Sequence, residues 1–166
     1  MVKVVLLDID GILTDGAVYV DSSGKESKRI LFDDIDAIFA LKRAGMKIGF
    51  ITGENNDFCQ YVRKRFDPDF FIAGCKDKLT ACKRLMKEAG LNATSVCYAG
   101  DSKKDIPLLE YLPLSFAPSD VTTIVKNAAK VILEASRGSG VIQEITHRIL
   151  AKIPKGPTTK DSLQDN

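Results

Sequence analysis

Short apolar runs alternate with amphipathic segments along the chain. The runs lie at residues 2–7, 47–51, 70–73, 95–99 and 131–133, and their apolar character is almost unbroken. Such runs are typical of strands buried on both faces of a parallel sheet. Between them, residues 35–42, 58–65 and 79–89 place apolar side chains at helical spacing. The pattern predicts an α/β fold with a three-layer, Rossmann-like parallel sheet.

An insertion at residues 17–31 interrupts this alternation. Two β-prone stretches flank Asp21-Ser22-Ser23-Gly24, which predicts a β-hairpin with a glycine turn. Both an ordinary edge hairpin and a flap beside a binding site fit this position. Residues 153–166 are mostly polar or turn-forming and are expected to be a disordered tail. We therefore expect one domain over residues 1–152.

Composition narrows the classes of partner. The chain has 166 residues, 45% of them hydrophobic, which is enough for one core. Its 24 Lys and Arg residues against 22 Asp and Glu residues give a net charge of +2, too weak a field to predict nucleic-acid binding. No apolar run reaches the roughly 18 residues of a membrane span or resembles a signal peptide. A cytoplasmic protein with no nucleic-acid partner and no membrane partner is expected.

Acidic residues follow the first predicted strand, at the edge where ligands bind in an open parallel sheet. Asp8 and Asp10 alternate, so both carboxylates leave the strand end towards one place. Like charges this close are costly without a cation, and Mg²⁺ typically takes one or two protein carboxylates. Alone, such a pair is more often a solvated turn.

Three further groups fit a phosphorylated ligand at the same edge. Thr52 and Gly53 offer a hydroxyl and backbone N–H groups to phosphate oxygens. Lys78 offers an ammonium that neutralises a phosphate. Asp101 and Asp105 straddle a helix start and offer one direct metal ligand and one outer-shell acceptor. Each group alone is more often a helix cap or a solvated residue, but their conjunction in this order, each just after a predicted strand or at the next helix start, is a strong signal for one site.

This order of groups resembles the four motifs of the haloacid dehalogenase superfamily of phosphohydrolases. The matching segments are Asp8-Ile9-Asp10-Gly11-Ile12-Leu13-Thr14, Thr52-Gly53, Lys78 and Gly100-Asp101-Ser102-Lys103-Lys104-Asp105. The resemblance covers about residues 2–150. It implies that Asp8 is a nucleophile that forms an aspartyl phosphate, and that Asp10 is the general acid and base.

The same resemblance implies the cofactor and the roles of the other motif residues. Mg²⁺ would be held by Asp8, the backbone carbonyl of Asp10, and Asp101, with Asp105 in the outer shell. Thr52 and Lys78 would stabilise the charge of the transferring phosphoryl group.

The gaps between the motifs are too short for the cap domain of larger members. The chain therefore resembles the capless subgroup that hydrolyses phosphates of 3-deoxy sugar acids. Further similarities to this subgroup are Leu13-Thr14-Asp15-Gly16, Gly24-Lys25-Glu26, Asp34 ahead of the first helix, and Arg137-Gly138-Ser139-Gly140. That similarity implies a homotetramer assembled through the hairpins, in which the C-terminal segment of one subunit covers a neighbour's site. It also adds Asp34 and Arg137 to the expected substrate-binding residues, beside Thr52, Gly53 and Lys78.

Three positions depart from the subgroup. Glu54 stands where the octulosonate enzymes usually have Arg, whereas relatives that act on nine-carbon acids are similar in having Glu there and a basic residue about three turns later, which Arg65 supplies. Because a carboxylate accepts hydrogen bonds from sugar hydroxyls, we favour a nine-carbon 9-phosphate over 3-deoxy-manno-octulosonate 8-phosphate. Ser102 and Gln143 stand where the patterns have Asp and Arg.

Two other interpretations fit the same residues. A non-catalytic oligomerisation or regulatory module can have this fold, but its motifs would be degraded, and here every carboxylate is intact. A signalling receiver is also a small parallel α/β domain, but its phosphorylated aspartate ends a central strand rather than the first strand. The order of the motifs favours the phosphatase.

Overall fold

A six-stranded parallel sheet organises residues 1–152, the part of the chain that the computed structural model describes. The eight strands are β1 (Val4–Leu7), β2 (Tyr19–Val20), β3 (Glu26–Ser27), β4 (Lys47–Ile51), β5 (Phe70–Ile72), β6 (Val96–Ala99), β7 (Ser115–Ala117) and β8 (Val131–Ile132). The sheet order is β5-β4-β1-β6-β7-β8, and every pairing in it is parallel. All six carboxyl ends therefore lie at one edge, with β1 between β4 and β6.

Helices cover both faces of this sheet. They are α1 (Phe32–Arg43), α2 (Asp57–Phe66), α3 (Lys78–Glu88), α4 (Ile106–Tyr111), α5 (Thr123–Ala128) and α6 (Val141–Leu150). Val5 and Leu7 of β1 pack into the core under α1, α2 and α6, whereas Val4 and Leu6 pack into the core under α3, α4 and α5. This alternation makes β1 apolar throughout. It confirms the predicted three-layer α/β fold, and residues 1–152 contain no cap domain.

Strand β7 was not predicted. It has only three residues between Pro113 and Pro118, and it begins with Ser115, so the segment lacks the apolar run that marks the other strands. The buried Ser115 hydroxyl donates to the carbonyl of Leu109 at 2.7 Å and accepts from the N–H of Lys130 at 3.1 Å. Tertiary contacts therefore stabilise a strand that local propensity does not indicate. Within residues 1–152, no helix combines the length and apolar character needed to cross a bilayer.

The hairpin at residues 17–31 forms as a separate two-stranded unit, shorter than predicted. Tyr19 pairs with Ser27 across antiparallel β2 and β3. The Asp21 carboxylate accepts from the N–H groups of Ser23 and Lys25 at 2.8 and 3.0 Å, which closes the turn. Beyond β3, Ile30 forms one isolated antiparallel bridge with Thr14, so the ladder is interrupted rather than continuous. The predicted tail at residues 153–166 lies outside the described residues.

Asp34 lies between α1 and α6 in the first turn of α1, not ahead of the helix. One carboxylate oxygen accepts from the N–H of Gln143 at 2.9 Å, at the start of α6. The other is buried without a hydrogen-bond partner among the described residues. Burial raises the pKa of Asp34 to about 6, above the ordinary 3.8, although hydrogen bonds from Gln143 and Ile142 oppose this.

This shift makes the stability of the α1–α6 contact dependent on pH. Because the folded pKa is the higher one, the unfolded chain releases this proton first, so Asp34 lowers the free energy of unfolding as pH rises from about 4 to 6. Asp34→Asn keeps the acceptor for Gln143 and removes the charge. We predict that the change in the free energy of unfolding caused by Asp34→Asn is about 2 kcal/mol more stabilising at pH 7 than at pH 4.

Urea unfolding at both pH values measures this difference. Asp36→Asn, a change at an exposed carboxylate of the same helix, is the matched control. An Asp34→Asn effect of equal size at pH 4 and pH 7 would contradict the predicted charge penalty.

Candidate active site

Asp8 directly extends β1 into the carboxyl edge of the sheet. Its N–H donates to the carbonyl of Ala99 at 3.0 Å, which continues the β1–β6 ladder by one residue. Ile9 then turns into the core, and its N–H donates to Asp8 Oδ1 at 2.7 Å. The chain can turn tightly here because Gly11 adopts a φ of +82°, a conformation that favours glycine. These contacts fix the Asp8 carboxylate at the edge while leaving it only 5% exposed.

Lys78 brings a positive charge to Asp8. Its predecessor Asp77 caps α3 by accepting from the N–H of Thr80 at 3.0 Å, so Lys78 is the first residue of the helix and points along the sheet edge. Its ammonium lies 2.8 Å from Asp8 Oδ2 and 2.6 Å from Asp105 Oδ1. Burial lowers the pKa of Lys78, but the two carboxylates outweigh burial and raise it. Lys78 is therefore an ammonium held between two carboxylates.

Asp105 is fully buried and every oxygen has a donor. Oδ1 accepts from Lys78 and, at 2.6 Å, from the hydroxyl of Tyr98. Oδ2 accepts from the N–H groups of Asp101 and Ser102 at 3.1 and 2.8 Å, and from the Ser102 hydroxyl at 2.8 Å. Burial raises the pKa of Asp105, but Lys78 and these hydrogen bonds lower it below its ordinary value. The Ser102 hydroxyl thus orients Asp105, in the place of the carboxylate of the usual motif.

The carboxylates of Asp8, Asp101 and Asp105 form one cluster. Each contributes an oxygen, and these oxygens all lie within 4.8 Å of one another. Burial raises the pKa of Asp8 to about 7 and that of Asp101 to about 6. The three carboxylates outnumber the two cations beside them, Lys78 and Arg137, so negative charge stays uncompensated. Gly11 leaves room for the cluster, since a Cβ there would lie 2.0 Å from Asp101 Oδ2. Hard oxygens at this spacing, with excess negative charge, fit a divalent cation.

The loops after β4 and β5 form the adjoining wall. The buried Thr52 donates its N–H to the carbonyl of Ile72, and its hydroxyl accepts from the N–H of Glu54 at 3.2 Å. Thr52 does not cap α2, because the side chain of Asn56 does so. Gly53 and Glu54 are exposed on this loop. The predicted Thr-Gly pair therefore lies at the same sheet edge as Asp8.

Arg137 and Asp10 lie on the other sides of the cluster. The Arg137 guanidinium is 3.6 Å from Asp101 Oδ2, and it donates to Asp120 at 3.0 Å. Asp10 is 35% exposed, and its Oδ1 accepts from Lys28 Nζ at 2.6 Å. The structure thus brings the predicted Asp10, Thr52, Lys78, Asp101, Asp105 and Arg137 to the sheet edge at which Asp8 lies.

Two residues predicted to bind substrate lie away from Asp8 within the single chain. Asp34 is fully buried between α1 and α6, where it contacts the N-terminus of α6. Arg65 is exposed in the last turn of α2. Because α2 begins near the site and runs back along the sheet, about 12 Å of helix separates its first turn from Arg65. The chain does not bring Arg65 to its own Asp8.

Two residues of the site were not predicted. Tyr98 lies in the apolar strand β6, and its hydroxyl donates to Asp105. A buried tyrosine hydroxyl needs a hydrogen-bond partner, so a tyrosine within an apolar run is the signal in the sequence that could have identified this residue. Lys28 lies directly after β3, within the hairpin segment, and contacts Asp10, which is eighteen positions earlier in the sequence. No spacing rule identifies that contact, because it depends on how the chain returns from the hairpin.

Comparison with known proteins agrees with this geometry. The model of the haloacid dehalogenase-like hydrolase family matches residues 70–145. The chain is 32% identical over 149 residues to the 3-deoxy-D-manno-octulosonate 8-phosphate phosphatase KdsC of Haemophilus influenzae, covering 90% of this chain and 83% of that protein. It is 31% identical to the N-acylneuraminate cytidylyltransferase A of Danio rerio, covering 90% of this chain but only 35% of that protein.

A solved structure shares the whole fold. The 3-deoxy-D-manno-octulosonate 8-phosphate phosphatase of Moraxella catarrhalis, in complex with a magnesium ion, a phosphate ion and a KDO molecule, has a TM-score of 0.85. It is 27% identical in sequence, and the match covers 90% of this chain and 86% of that one. With its motif residues gathered at one sheet edge and this similarity along nine-tenths of its length, the chain belongs to the haloacid dehalogenase-like hydrolase family.

Proposed function

We propose that this protein is a magnesium-dependent phosphatase that hydrolyses the phosphate ester of a 3-deoxy sugar acid through an aspartyl phosphate on Asp8. The observation that carries the proposal is the Asp8 carboxylate, buried at the sheet edge and paired with Lys78 at 2.8 Å. The ammonium favours the ionised carboxylate, which is the form that attacks phosphorus. The similarity to sugar-acid phosphate phosphatases supports the class of substrate.

The reaction takes two steps. Asp8 attacks phosphorus, the bond from phosphorus to the sugar oxygen breaks, and Asp10 gives its proton to that leaving oxygen. Asp10, now a carboxylate, accepts a proton from a water that attacks the phosphorus of the aspartyl phosphate. The bond from phosphorus to Asp8 then breaks, which releases phosphate and restores both carboxyl groups. The Thr52 hydroxyl and the Lys78 ammonium stabilise the charge of the transferring group.

The acidic cluster supports the proposed cofactor. Asp8, Asp101 and the backbone carbonyl of Asp10 would hold Mg²⁺, and Asp105 would support it from the outer shell. When bound, Mg²⁺ neutralises charge on the phosphate and on the attacking carboxylate. Arg137, which lies beside Asp101, adds positive charge on the solvent side of the cluster.

Glu54 supports a nine-carbon sugar acid 9-phosphate as the substrate. It is exposed on the loop after β4, the strand next to β1, and its carboxylate accepts hydrogen bonds from sugar hydroxyls. We also propose a homotetramer assembled through the hairpin. Val18, Tyr19 and Val20 are 50%, 48% and 62% exposed there, so consecutive apolar side chains face outwards on one short strand and the residue before it.

A second candidate function is a non-catalytic module. The similarity to about a third of an N-acylneuraminate cytidylyltransferase favours it, because the matching segment there is one part of a longer protein. The paired Asp8 and Lys78 and the adjoining carboxylates favour catalysis, since a module without activity has no need to bury this much charge.

Removal of the nucleophile separates these two functions. We predict that Asp8→Asn lowers kcat by at least about a thousandfold, because the amide does not attack phosphorus. Release of inorganic phosphate from the sugar-acid phosphate with Mg²⁺ measures this, and Asp36→Asn is the matched control on α1. Full activity in Asp8→Asn, or no activity in the wild type with Mg²⁺, would contradict the proposed reaction.

Binding of Mg²⁺ is measurable without any substrate. A ligand that binds only the folded state raises stability, by about 2.7 kcal/mol at one hundred times its Kd. We predict that millimolar MgCl₂ raises the Tm of the wild type by about 5 °C and that Asp101→Asn removes most of this rise. Asp36→Asn should keep it. Equal Tm shifts in wild type and Asp101→Asn would argue against the acidic cluster as the site.

The substrate preference depends on Glu54. We predict that the wild type has a kcat/KM for the nine-carbon 9-phosphate at least about tenfold above that for 3-deoxy-manno-octulosonate 8-phosphate, equal to about 1.4 kcal/mol in transition-state binding. Glu54→Arg should reduce or reverse this ratio, whereas Glu54→Gln, which keeps an acceptor, should change it less. A tenfold preference of the wild type for the eight-carbon substrate would show that Glu54 does not set the preference.

A further inference from the structure

Lys28 meets Asp10 in a contact that the family motifs do not contain. Its ammonium lies 2.6 Å from Asp10 Oδ1. The Lys28 side chain is only 9% exposed, and its ammonium also lies 5.2 Å from the centre of the Phe58 ring in the first turn of α2. An exposed ion pair contributes little, but this lysine is withdrawn from water and has two partners on different elements. The contact therefore has a defined geometry.

The same contact distinguishes the two oxygens of Asp10. A lysine ammonium is a donor only, so the oxygen that it contacts has to act as an acceptor. Oδ2 has no hydrogen-bond partner among the described residues, and Asp10 is 35% exposed. Oδ2 is thus the oxygen left to carry a proton and to face the leaving group.

We propose that Lys28 is a positioning residue for Asp10: by holding Oδ1, it makes Oδ2 the oxygen that gives the proton to the leaving alkoxide and takes one from water. This inference rests on the proposed function. It also gives the hairpin a role within its own chain, because Lys28 follows directly after β3. Arg29 fastens the same segment by donating to the carbonyl of Gly138 at 3.0 Å.

A change of leaving group tests this role. The sugar alkoxide of an alkyl phosphate needs a proton when it leaves, whereas the nitrophenolate of p-nitrophenyl phosphate does not. A proton donor typically contributes about 10²- to 10⁴-fold to a rate, so in the step that forms the aspartyl phosphate its misplacement should affect only the alkyl substrate. This step is read from kcat/KM, because the later attack of water, in which Asp10 is the base for both substrates, does not enter kcat/KM. The two substrates here are 3-deoxy-manno-octulosonate 8-phosphate and p-nitrophenyl phosphate, each assayed with Mg²⁺.

We predict that Lys28→Met lowers kcat/KM for the alkyl phosphate about 30-fold and kcat/KM for the aryl phosphate less than about 3-fold. Lys25→Met, a change at an exposed lysine in the turn of the same hairpin, should leave both values unchanged. The ratio of the two kcat/KM values does not depend on the fraction of correctly folded enzyme. A variant that folds poorly therefore still gives a valid result.

A double-mutant cycle adds a second readout. In the Asp10→Asn background, Lys28→Met should change the ratio of the two kcat/KM values no further, because the residue through which it acts is gone. An equal loss on both substrates, no loss on either, or a full additional loss in the Asp10→Asn background would overturn the role of Lys28. Those outcomes leave the phosphatase proposal intact, whereas full activity of Asp8→Asn overturns the phosphatase itself.

Discussion

The site depends on the ion pairs that one buried ammonium, that of Lys78, makes with two carboxylates. This ammonium lies within 2.8 Å of Asp8 and 2.6 Å of Asp105, and all three side chains are less than 10% exposed. Two carboxylates this close and this buried would repel each other without it. Because removal of one partner from a buried ion pair leaves an uncompensated charge, the three residues form a unit rather than three separate contributions.

The fold brings these three residues together. Asp8 ends β1, Lys78 begins α3, and Asp105 lies in the turn after β6, so only a parallel sheet with aligned carboxyl ends places them at one point. The local caps refine the positions: Asp77 sets the start of α3, and Ser102 holds Asp105. Lys78 does not compensate all of the negative charge of the cluster, and this excess of negative charge suits a divalent cation.

The sequence predicts the site and the sheet better than the surroundings of the site. Asp8 and Lys78 were predictable because each adjoins a strand or helix whose pattern is strong. Asp34 and Arg65 were assigned by resemblance, and their positions depend on packing: Asp34 contacts a residue 109 positions later, and Arg65 lies in the last turn of α2, away from the end of the helix near the site. Lys28 was missed because its contact with Asp10 follows from the return path of the hairpin, for which no local pattern exists.

The central claim is that Asp8 becomes covalently phosphorylated, and rapid acid quenching of a single turnover tests it most directly. Substrate labelled with ³²P is mixed with excess enzyme and Mg²⁺, and the quenched protein is digested and mapped. We expect transient label on the peptide that contains Asp8, released by hydroxylamine as an acyl phosphate is. Label on another peptide, label that resists hydroxylamine, or turnover without labelled protein at any time would contradict the account.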